Sequence, residues 1–237
     1  MAEAMVAQDS MKEPEMQFTM DGAPLDLDIG DLVIAGWTGR DQAAIQHHIE
    51  ELVAIGVKPP SATPLYYRAA AAQLTTAPEI QVVGEATSGE VEPLVVQAGG
   101  RRWLGLGSDH TDRALEAHSV ALSKQICAKP CANELWPWDA VAGRLEDLLL
   151  ESWIEEAGGW VVYQQGTLAA MLPLAVLIEG AGLERLAANG GAAMMCGTLG
   201  AKGGVRPAAR FRMRMSDPAT GRRIEHEYRT TTLPEVA

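Results

Sequence analysis

Three acidic residues in the middle of the chain, Glu90, Glu92 and Asp109, have the types and spacing of a cation-binding site. Glu90 and Glu92 are two positions apart, so they fall on one face of a strand, because successive side chains alternate between faces. Two apolar runs flank the pair Gly99-Gly100, a pattern that predicts a hairpin with a two-residue turn. With the turn at that pair, Glu90 lies directly across the hairpin from Asp109.

These carboxylates would converge on one patch, since opposed Cβ atoms on neighbouring strands are about 5 Å apart. Like charges directly opposite each other are destabilising, and a bound cation would relieve the repulsion. A set of oxygen ligands suits Mg²⁺, Mn²⁺ or Ca²⁺ rather than zinc. An exposed hairpin with a solvated acidic face explains the same residues equally well.

The segment after Asp109 predicts a helix with Thr111 as its N-cap that continues to Lys124. Arg113, in the first turn, would stay close to the acidic residues. In a straight helix Lys124 would lie roughly 16 Å from Arg113. The lysine therefore reaches the same site only if the helix ends early.

A second pair of chemically useful residues lies on an earlier predicted helix, which ends at Gly56. His48 and Glu51 are three positions apart and share a helix face, where they could act together on a water molecule. His47 and Glu50 form the same pair one step round the helix. A solvated helix face is the alternative for both pairs.

The glycine-rich segment Gly197–Gly204 follows a predicted buried strand. Such a loop can present backbone amides to an anion, here a substrate carboxylate or enolate. It lacks the Gly-Lys-Ser/Thr ending of a nucleotide-binding loop, and a plain turn is the alternative.

The composition excludes several classes of partner. The chain of 237 residues is 47% hydrophobic and carries a formal net charge of −12, which argues against a nucleic acid or an anionic membrane but not against a small anionic substrate. No secretory signal and no apolar run of about 18 residues are evident, so we expect a cytoplasmic protein.

Cys127 and Cys131 lack a second pair that would complete a zinc site, and we interpret them as structural or incidental thiols.

The order of predicted elements indicates the fold class. Residues 1–16 show no periodicity and predict a flexible tail, followed by a single domain over residues 17–237. Predicted strands outnumber helices, pair as antiparallel hairpins and show no βαβ rhythm, so the fold class is α+β or mainly β. Pro93, inside the acidic hairpin, predicts an edge or a bulge there.

Five motifs, taken in order along the chain, resemble those of the fumarylacetoacetate hydrolase (FAH) superfamily, in the form of its C-terminal catalytic domain, and most of all a bacterial branch of it. The matching stretches lie between about residue 33 and residue 228: His48-Ile-Glu-Glu51-Leu52, Glu90-Val-Glu92, Ser108-Asp109-His110-Thr111-Asp112-Arg113, Gln164-Gln-Gly166 and Cys196-Gly197-Thr198-Leu199-Gly200. Asp112 adds an acid where the family has a small residue, and Lys124 follows Asp109 sooner than in the family.

The resemblance implies an FAH-like mixed β-roll with flanking short helices, assembled as a homodimer. It implies Mg²⁺ or Mn²⁺ held by three ligands, Glu90, Glu92 and Asp109. It implies catalytic roles for four residues, His48, Glu51, Arg113 and Lys124, and substrate binding by three others, Gln164, Gly197 and Thr198.

We therefore expect a metal-dependent hydrolase of a 2-oxo or 1,3-dicarbonyl acid, which cleaves a C–C bond of an acylpyruvate-like substrate. A lyase of the same superfamily, acting as a 2-oxo acid decarboxylase, an isomerase or a sugar-acid dehydratase, is the second hypothesis. A non-catalytic ligand-binding or assembly module is the third. Loops such as 59–68 and 130–138 would recognise the substrate's side chain.

Overall fold

The computed structural model describes residues 15–54, 56 and 58–236. Within these ranges the side chains of five residues lie outside the description: Glu15, His48, Glu51, Leu52 and Asn189. The tail predicted for residues 1–16 lies outside the described residues except for its last two, which begin the first strand.

The strands, in chain order, are β1 Glu15–Met20, β2 Ala23–Asp28, β3 Asp31–Gly36, β4 Leu65–Ala69, β5 Leu74–Thr75, β6 Glu79–Val83, β7 Thr87–Ser88, β8 Val91–Ala98, β9 Arg101–Ser108, β10 Thr111–Asp112, β11 Lys129–Pro130, β12 Trp136–Pro137, β13 Leu149–Glu156, β14 Gly159–Thr167, β15 Ala192–Met195, β16 Arg210–Ser216 and β17 Arg223–Leu233. The α-helices are α1 Gln42–Ala54, α2 Arg113–Glu116, α3 Val120–Gln125, α4 Leu174–Ala181 and α5 Leu183–Leu186. Short 3-10 turns cover Ala71–Gln73, Trp138–Ala140, Ala142–Asp147, Leu168–Ala170 and Ala187–Asn189.

Two sheets form the body of the described chain. One has six strands in the order β12-β9-β8-β15-β3-β4, and the other has five in the order β14-β13-β16-β17-β6. The mainly β fold class is therefore confirmed. The expectation of purely antiparallel pairing is wrong, because β15 pairs in parallel with β3 and β17 with β6; these pairs join segments far apart in sequence, which local turn signals do not reveal.

The six-stranded sheet is buried on both faces. Along β15, Ala192 and Met194 face a core shared with the five-stranded sheet, whereas Ala193 and Met195 face a second core beneath β1 and β2. This explains why its central strands have continuous apolar runs, as strands covered on both faces do. The five-stranded sheet has buried residues alternating with polar ones along β16, as expected when one face meets solvent.

The acidic hairpin lies in the interior of the six-stranded sheet. β8 is paired with β9 on one side and with β15 on the other. The prediction of an edge or a bulge at Pro93 is wrong: its carbonyl accepts from the amide of Cys196 at 3.1 Å, one residue beyond the end of β15, and its pairing with Leu106 is regular. A proline is tolerated there because the ladder with β15 ends at this point.

Local signals set the ends of the elements around the site. Asp41 caps α1, because its Oδ1 accepts from the amides of Ala43 and Ala44 at 3.0 Å. Pro173 separates the turn Leu168–Ala170 from α4, as expected for a residue that a helix interior does not tolerate. Within the described residues, no helix is both long enough and apolar enough to cross a membrane.

The turn between β16 and β17 is organised by Asp217, which is 1% exposed. Its carboxylate accepts from Arg144 Nη2 at 2.7 Å, from Thr220 Oγ1 at 2.7 Å and from the amide of Ala219 at 3.0 Å. Hydrogen bonds from Arg144 lower the pKa of Asp217 to about 2, even though burial acts in the opposite direction.

We expect Asp217→Asn to lower the free energy of unfolding at pH 7 by about 1–3 kcal/mol, because the ion pair with Arg144 is lost. A carboxylate with a lowered native pKa stabilises the fold above its unfolded pKa of about 3.9, and this contribution disappears as the pH falls through about 2. Urea unfolding at pH 7 and pH 2.5 measures the difference, with Asp139→Asn on the exposed surface as control. If the difference in free energy of unfolding between the wild type and Asp217→Asn is the same at both pH values, Asp217 does not have a lowered pKa in the folded protein.

Candidate functional site

The register of the β8–β9 hairpin brings the acidic residues together as predicted. Ala98 pairs with Arg101 and Val91 with Ser108, so the turn is Gly99-Gly100. The amide of Asp109 donates to the carbonyl of Glu90 at 3.0 Å, which continues the register by one residue.

The three carboxylates form one buried group. One oxygen each from Glu90, Glu92 and Asp109 lies within 4.8 Å of the others. Glu92 is 2% exposed and Asp109 is fully buried, so the alternative of a solvated acidic face is wrong. Gly107 lies opposite Glu92, where an added Cβ would press on Met195 at 2.9 Å.

The helix after Asp109 is broken, and the break decides where Lys124 lies. Asp112 caps α2 by accepting from the amide of Leu115 at 2.9 Å, and Ser119 caps α3. The predicted N-cap at Thr111 is wrong, because this residue is in β10 and its hydroxyl donates to the carbonyl of Asp109 at 3.1 Å.

Lys124 consequently turns back to the acidic group. Its Nζ donates to Asp109 Oδ2 and lies 3.7 Å from Glu90 Oε2. Burial alone would lower the pKa of Lys124, but the charges of Asp109, Glu90 and Glu92 outweigh it and raise this pKa. Asp112 is not a fourth member of the group, since its carboxylate serves as a helix cap.

Arg113 supplies a second positive charge at the edge of the group. Its Nη2 lies 3.2 Å from Glu90 Oε1, its Nη1 lies 2.8 Å from Glu116 Oε2, and its Nε donates to Ser88 Oγ at 2.8 Å. These contacts fix the guanidinium on the Glu90 side of the site.

Sequence reasoning missed Lys129, whose Nζ is 3.0 Å from Asp109 Oδ1 and donates to the carbonyl of His110 at 2.6 Å. Lys129 is fully buried. It lies between the cysteines Cys127 and Cys131, which are free and buried. The sequence does contain a signal for a buried lysine, because the neighbours of Lys129 are mostly apolar. Only the two thiols of this segment were considered in the prediction from sequence.

The carboxylates differ in their protonation. Burial would raise the pKa of Asp109, but the charges of Lys124 and Lys129 lower it to about 2. Burial and the charge of Asp109 raise the pKa of Glu92 well above its usual range, although the amide of Gly197 donates to Glu92 Oε2 at 2.7 Å. A divalent cation would favour ionised Glu92, and a set of oxygen donors fits such an ion.

Two of the three predicted substrate-binding residues, Gln164 and Thr198, are joined by hydrogen bonds, and Gln164 is buried. Gln164 Oε1 accepts from the amide of Val91 and from Ser152 Oγ, both at 2.9 Å. Its Nε2 donates at 2.7 Å to Thr198 Oγ1 and to the carbonyl of Leu199. Thr198 Oγ1 in turn donates to the carbonyl of Val91 at 2.7 Å.

These bonds tie the glycine-rich loop to the start of β8. Gly197, with φ at +96°, is required there, because an added Cβ would overlap Thr38. The amide of Gly197 is occupied by Glu92 and not by an external anion. Direct substrate binding by Gln164, Gly197 and Thr198 stays a prediction; their contacts show how they hold the acidic group in place.

The predicted water-activating pair lies on α1. His48 and Glu51 belong to this helix, but their side chains lie outside the described residues, and their catalytic role stays a prediction. In the alternative pair, Glu50 Oε1 accepts from Gln46 Nε2 at 2.9 Å.

A cavity of about 250 Å³ lies beside α3. Its walls are mostly aromatic, proline and small residues: Trp37, Lys58, Pro59, Pro60, Ser61, Leu65, Tyr67, His118, Ser119, Val120 and Ala121. Burial raises the pKa of Tyr67. Its strand β4 contacts α3, the helix that carries Lys124, so this wall lies on the Lys124 side of the acidic group. Residues from the predicted loop 59–68 line the cavity, but none from 130–138 does.

A larger cavity of about 570 Å³ lies at the turn end of the hairpin, next to Gly99 and Gly100. At about 3.3 Å per strand residue, that turn is more than roughly 20 Å from Glu92. Proximity to the carboxylates therefore favours the smaller cavity as the one that takes part in any chemistry.

Comparison with known proteins fits this geometry. The family model described as "Protein of unknown function (DUF2848)" matches residues 35–228. The chain belongs to the DUF2848 family. No curated protein matches the sequence.

Solved structures show the fold of this DUF2848 protein. A fumarylpyruvate hydrolase from Pseudomonas aeruginosa, in complex with Mn²⁺ and pyruvate, is 15% identical with a TM-score of 0.63, over 93% of this chain and 97% of that one. A 2-keto-3-deoxy-D-arabinonate dehydratase complexed with magnesium and 2,5-dioxopentanoate is 15% identical with a TM-score of 0.58, over 88% and 75%. The DUF2848 chain has the FAH-like fold that the sequence motifs predicted.

We expect Gln164→Leu to lower the free energy of unfolding by at least about 3 kcal/mol, since each buried polar group left without a partner costs about 1–3 kcal/mol. Gln165→Leu is the matched control, because the side-chain amide of Gln165 is exposed and its bonds to Glu151 and Lys202 lie at the surface. The control should change the free energy by about 0.5 kcal/mol or less. Urea unfolding of both variants measures the contrast, and equal losses would refute the network's structural role.

Proposed function

We propose that this DUF2848 protein is a divalent-metal-dependent hydrolase that cleaves a C–C bond in a 2-oxo or 1,3-dicarbonyl acid of the acylpyruvate type. The observation that carries the proposal is the buried group of Glu90, Glu92 and Asp109, with Lys124 and Arg113 against it. Relatives of the same fold were solved with Mn²⁺ and pyruvate and with magnesium and 2,5-dioxopentanoate, which supports both the metal and the 2-oxo acid.

Glu90, Glu92 and Asp109 would hold Mg²⁺ or Mn²⁺, and Ca²⁺ is the third cation that their oxygens suit. When bound, the cation would polarise the substrate's carbonyl and stabilise negative charge on its oxygen. Lys124 Nζ, which contacts both Asp109 and Glu90, would add positive charge next to that oxygen. Arg113 adds charge on the Glu90 side.

His48, oriented by Glu51, would take a proton from water as general base. The water oxygen then bonds to the acyl carbon and the C–C bond to the 2-oxo acid fragment breaks. That fragment's carbon takes up a proton, which yields a carboxylic acid and a 2-oxo acid. The cavity of about 250 Å³ beside α3 would receive the acyl part, because Trp37 and Tyr67 give it an apolar wall.

A lyase reaction is the second candidate. The relative solved with 2,5-dioxopentanoate is a dehydratase, and the same carboxylate group would serve decarboxylation, isomerisation or dehydration of a 2-oxo acid. The proposed assembly is a homodimer in the cytoplasm, with a small anionic substrate and no nucleic acid or membrane partner.

We expect the wild-type protein to bind Mn²⁺ or Mg²⁺ and Glu92→Gln to bind at least tenfold more weakly, because one anionic oxygen donor is lost. Asp112→Asn is the control: it removes a nearby carboxylate that is outside the group, and asparagine also caps helices. Isothermal titration calorimetry measures the three affinities. If Glu92→Gln binds the cation as tightly as the wild type does, these carboxylates are not the metal ligands.

The activity test uses an acylpyruvate with Mg²⁺ or Mn²⁺ present. We expect the wild type to release pyruvate and a carboxylic acid, and Lys124→Met to lower kcat/KM at least about 100-fold, since it removes one charge aimed at the developing oxyanion. Product analysis separates the candidates, because CO₂ or a dehydrated product indicates a lyase. Equal rates for wild type and Glu92→Gln would contradict the metal-dependent scheme. A protein that binds metal but converts no 2-oxo acid would support the non-catalytic module.

A further inference from the structure

Tyr228, on β17, extends from the five-stranded sheet to the end of the acidic hairpin. Its hydroxyl lies 2.8 Å from Ser108 Oγ and 2.9 Å from His110 Nδ1. All three residues are buried, with exposed fractions of 1% or less. Ser108 and His110 are the residues on either side of Asp109. One phenol from the opposite sheet therefore contacts both neighbours of a proposed metal ligand.

Gly89 leaves the space that this contact needs. A Cβ at position 89 would overlap both the Tyr228 hydroxyl and Ser108 Oγ, so a larger residue there would push the phenol away from the hairpin. On its other side the phenol ring packs against Phe211, with ring centroids 5.5 Å apart. The hydroxyl is thus fixed in direction by packing on both sides.

The chain turns tightly at Asp109. The amide of His110 donates to the carbonyl of Ser108 at 2.9 Å, a bond that closes a three-residue turn with Asp109 at its centre. Lys124 and Lys129 contact the carboxylate oxygens of Asp109, but the Tyr228 hydroxyl contacts the two outer residues of the turn. A turn that is anchored at both ends leaves its central side chain little freedom of direction.

We propose that Tyr228 is a positioning residue of the metal site: its hydroxyl anchors Ser108 and His110 and thereby fixes the direction of the Asp109 carboxylate. This inference rests on the proposed metal site. Tyr228 touches neither the cation nor the substrate and acts only through the residues that flank Asp109. Partners that orient a metal ligand are typically worth about 10–100-fold in metal affinity or activity.

The test is Tyr228→Phe, which removes the hydroxyl and keeps the ring. Tyr163→Phe is the matched control, because Tyr163 is also fully buried, also packs against Phe211, and its hydroxyl accepts from the amide of Arg206 at 3.3 Å. By calorimetric titration we expect Tyr228→Phe to bind Mn²⁺ about tenfold more weakly than the wild type. The control should bind Mn²⁺ as tightly as the wild type, although both variants melt at a lower temperature in EDTA.

Two further measurements separate positioning from general destabilisation. Ser108→Ala removes one anchor, and its loss of Mn²⁺ affinity should not add to that of Tyr228→Phe, since both substitutions delete the same hydrogen bond. Amide hydrogen exchange in EDTA follows the turn without a metal. We expect the Asp109 amide to exchange faster in Tyr228→Phe than in the control, by more than the difference in global stability between the variants accounts for.

The outcomes separate this inference from the proposed function. If the wild type binds Mn²⁺ and Tyr228→Phe binds it equally well, the positioning role is wrong and the metal site stands. If the wild type binds no Mn²⁺, the metal site is wrong; unchanged exchange at Asp109 then also overturns the positioning role, and selectively faster exchange supports it. If Tyr228→Phe does not fold, Ser108→Ala replaces it in the titration, and wild-type affinity or a failure to fold in that variant overturns the inference.

Discussion

Burial of the Asp109 carboxylate is the constraint on which the rest of the site depends. A buried charge is tolerated only when partners compensate it, and Asp109 is fully buried. The chain compensates it with an ammonium on each oxygen, from Lys124 and Lys129. Because these lysines come from different segments, the charge of Asp109 ties α3 and β11 to the end of the hairpin.

The surrounding elements serve this ion-pair arrangement. α3 can approach Asp109 only because Asp112 and Ser119 cap two short helices in place of one long helix. The network around Gln164 anchors the loop whose Gly197 amide donates to Glu92. Both polar atoms of the Gln164 side-chain amide have partners, and a buried polar network whose members are satisfied favours one structure.

The same arrangement bears on the proposed anionic substrate, because the protein as a whole is acidic. The net charge of −12 opposes the approach of an anion, but Lys124 and Arg113 put positive charge directly beside the carboxylates. A cation bound at Glu90, Glu92 and Asp109 would add to this local field. Local electrostatics, and not net charge, decides what such a site accepts.

By itself the sequence determined the local features of this protein. The pair Gly99-Gly100 sets the hairpin register, and the register alone places Glu90, Glu92 and Asp109 on one face, because side-chain direction alternates along a strand. The order of the motifs was enough to predict the FAH-like fold. Helix ends at Asp41 and the interruption at Pro173 likewise follow from residues within a few positions.

Only the tertiary structure decided which charges meet across long stretches of chain. Lys124 reaches Asp109 because a helix predicted as continuous breaks where packing favours two caps. The contact of Lys129 with Asp109 could not be predicted from the sequence, because the position of Lys129 depends on the pairing of β11 with β5. This pairing joins residues more than fifty positions apart. The parallel pairs β15–β3 and β17–β6 were missed for the same reason. Non-local pairing is selected by burial and packing of the whole domain, and no local pattern encodes it.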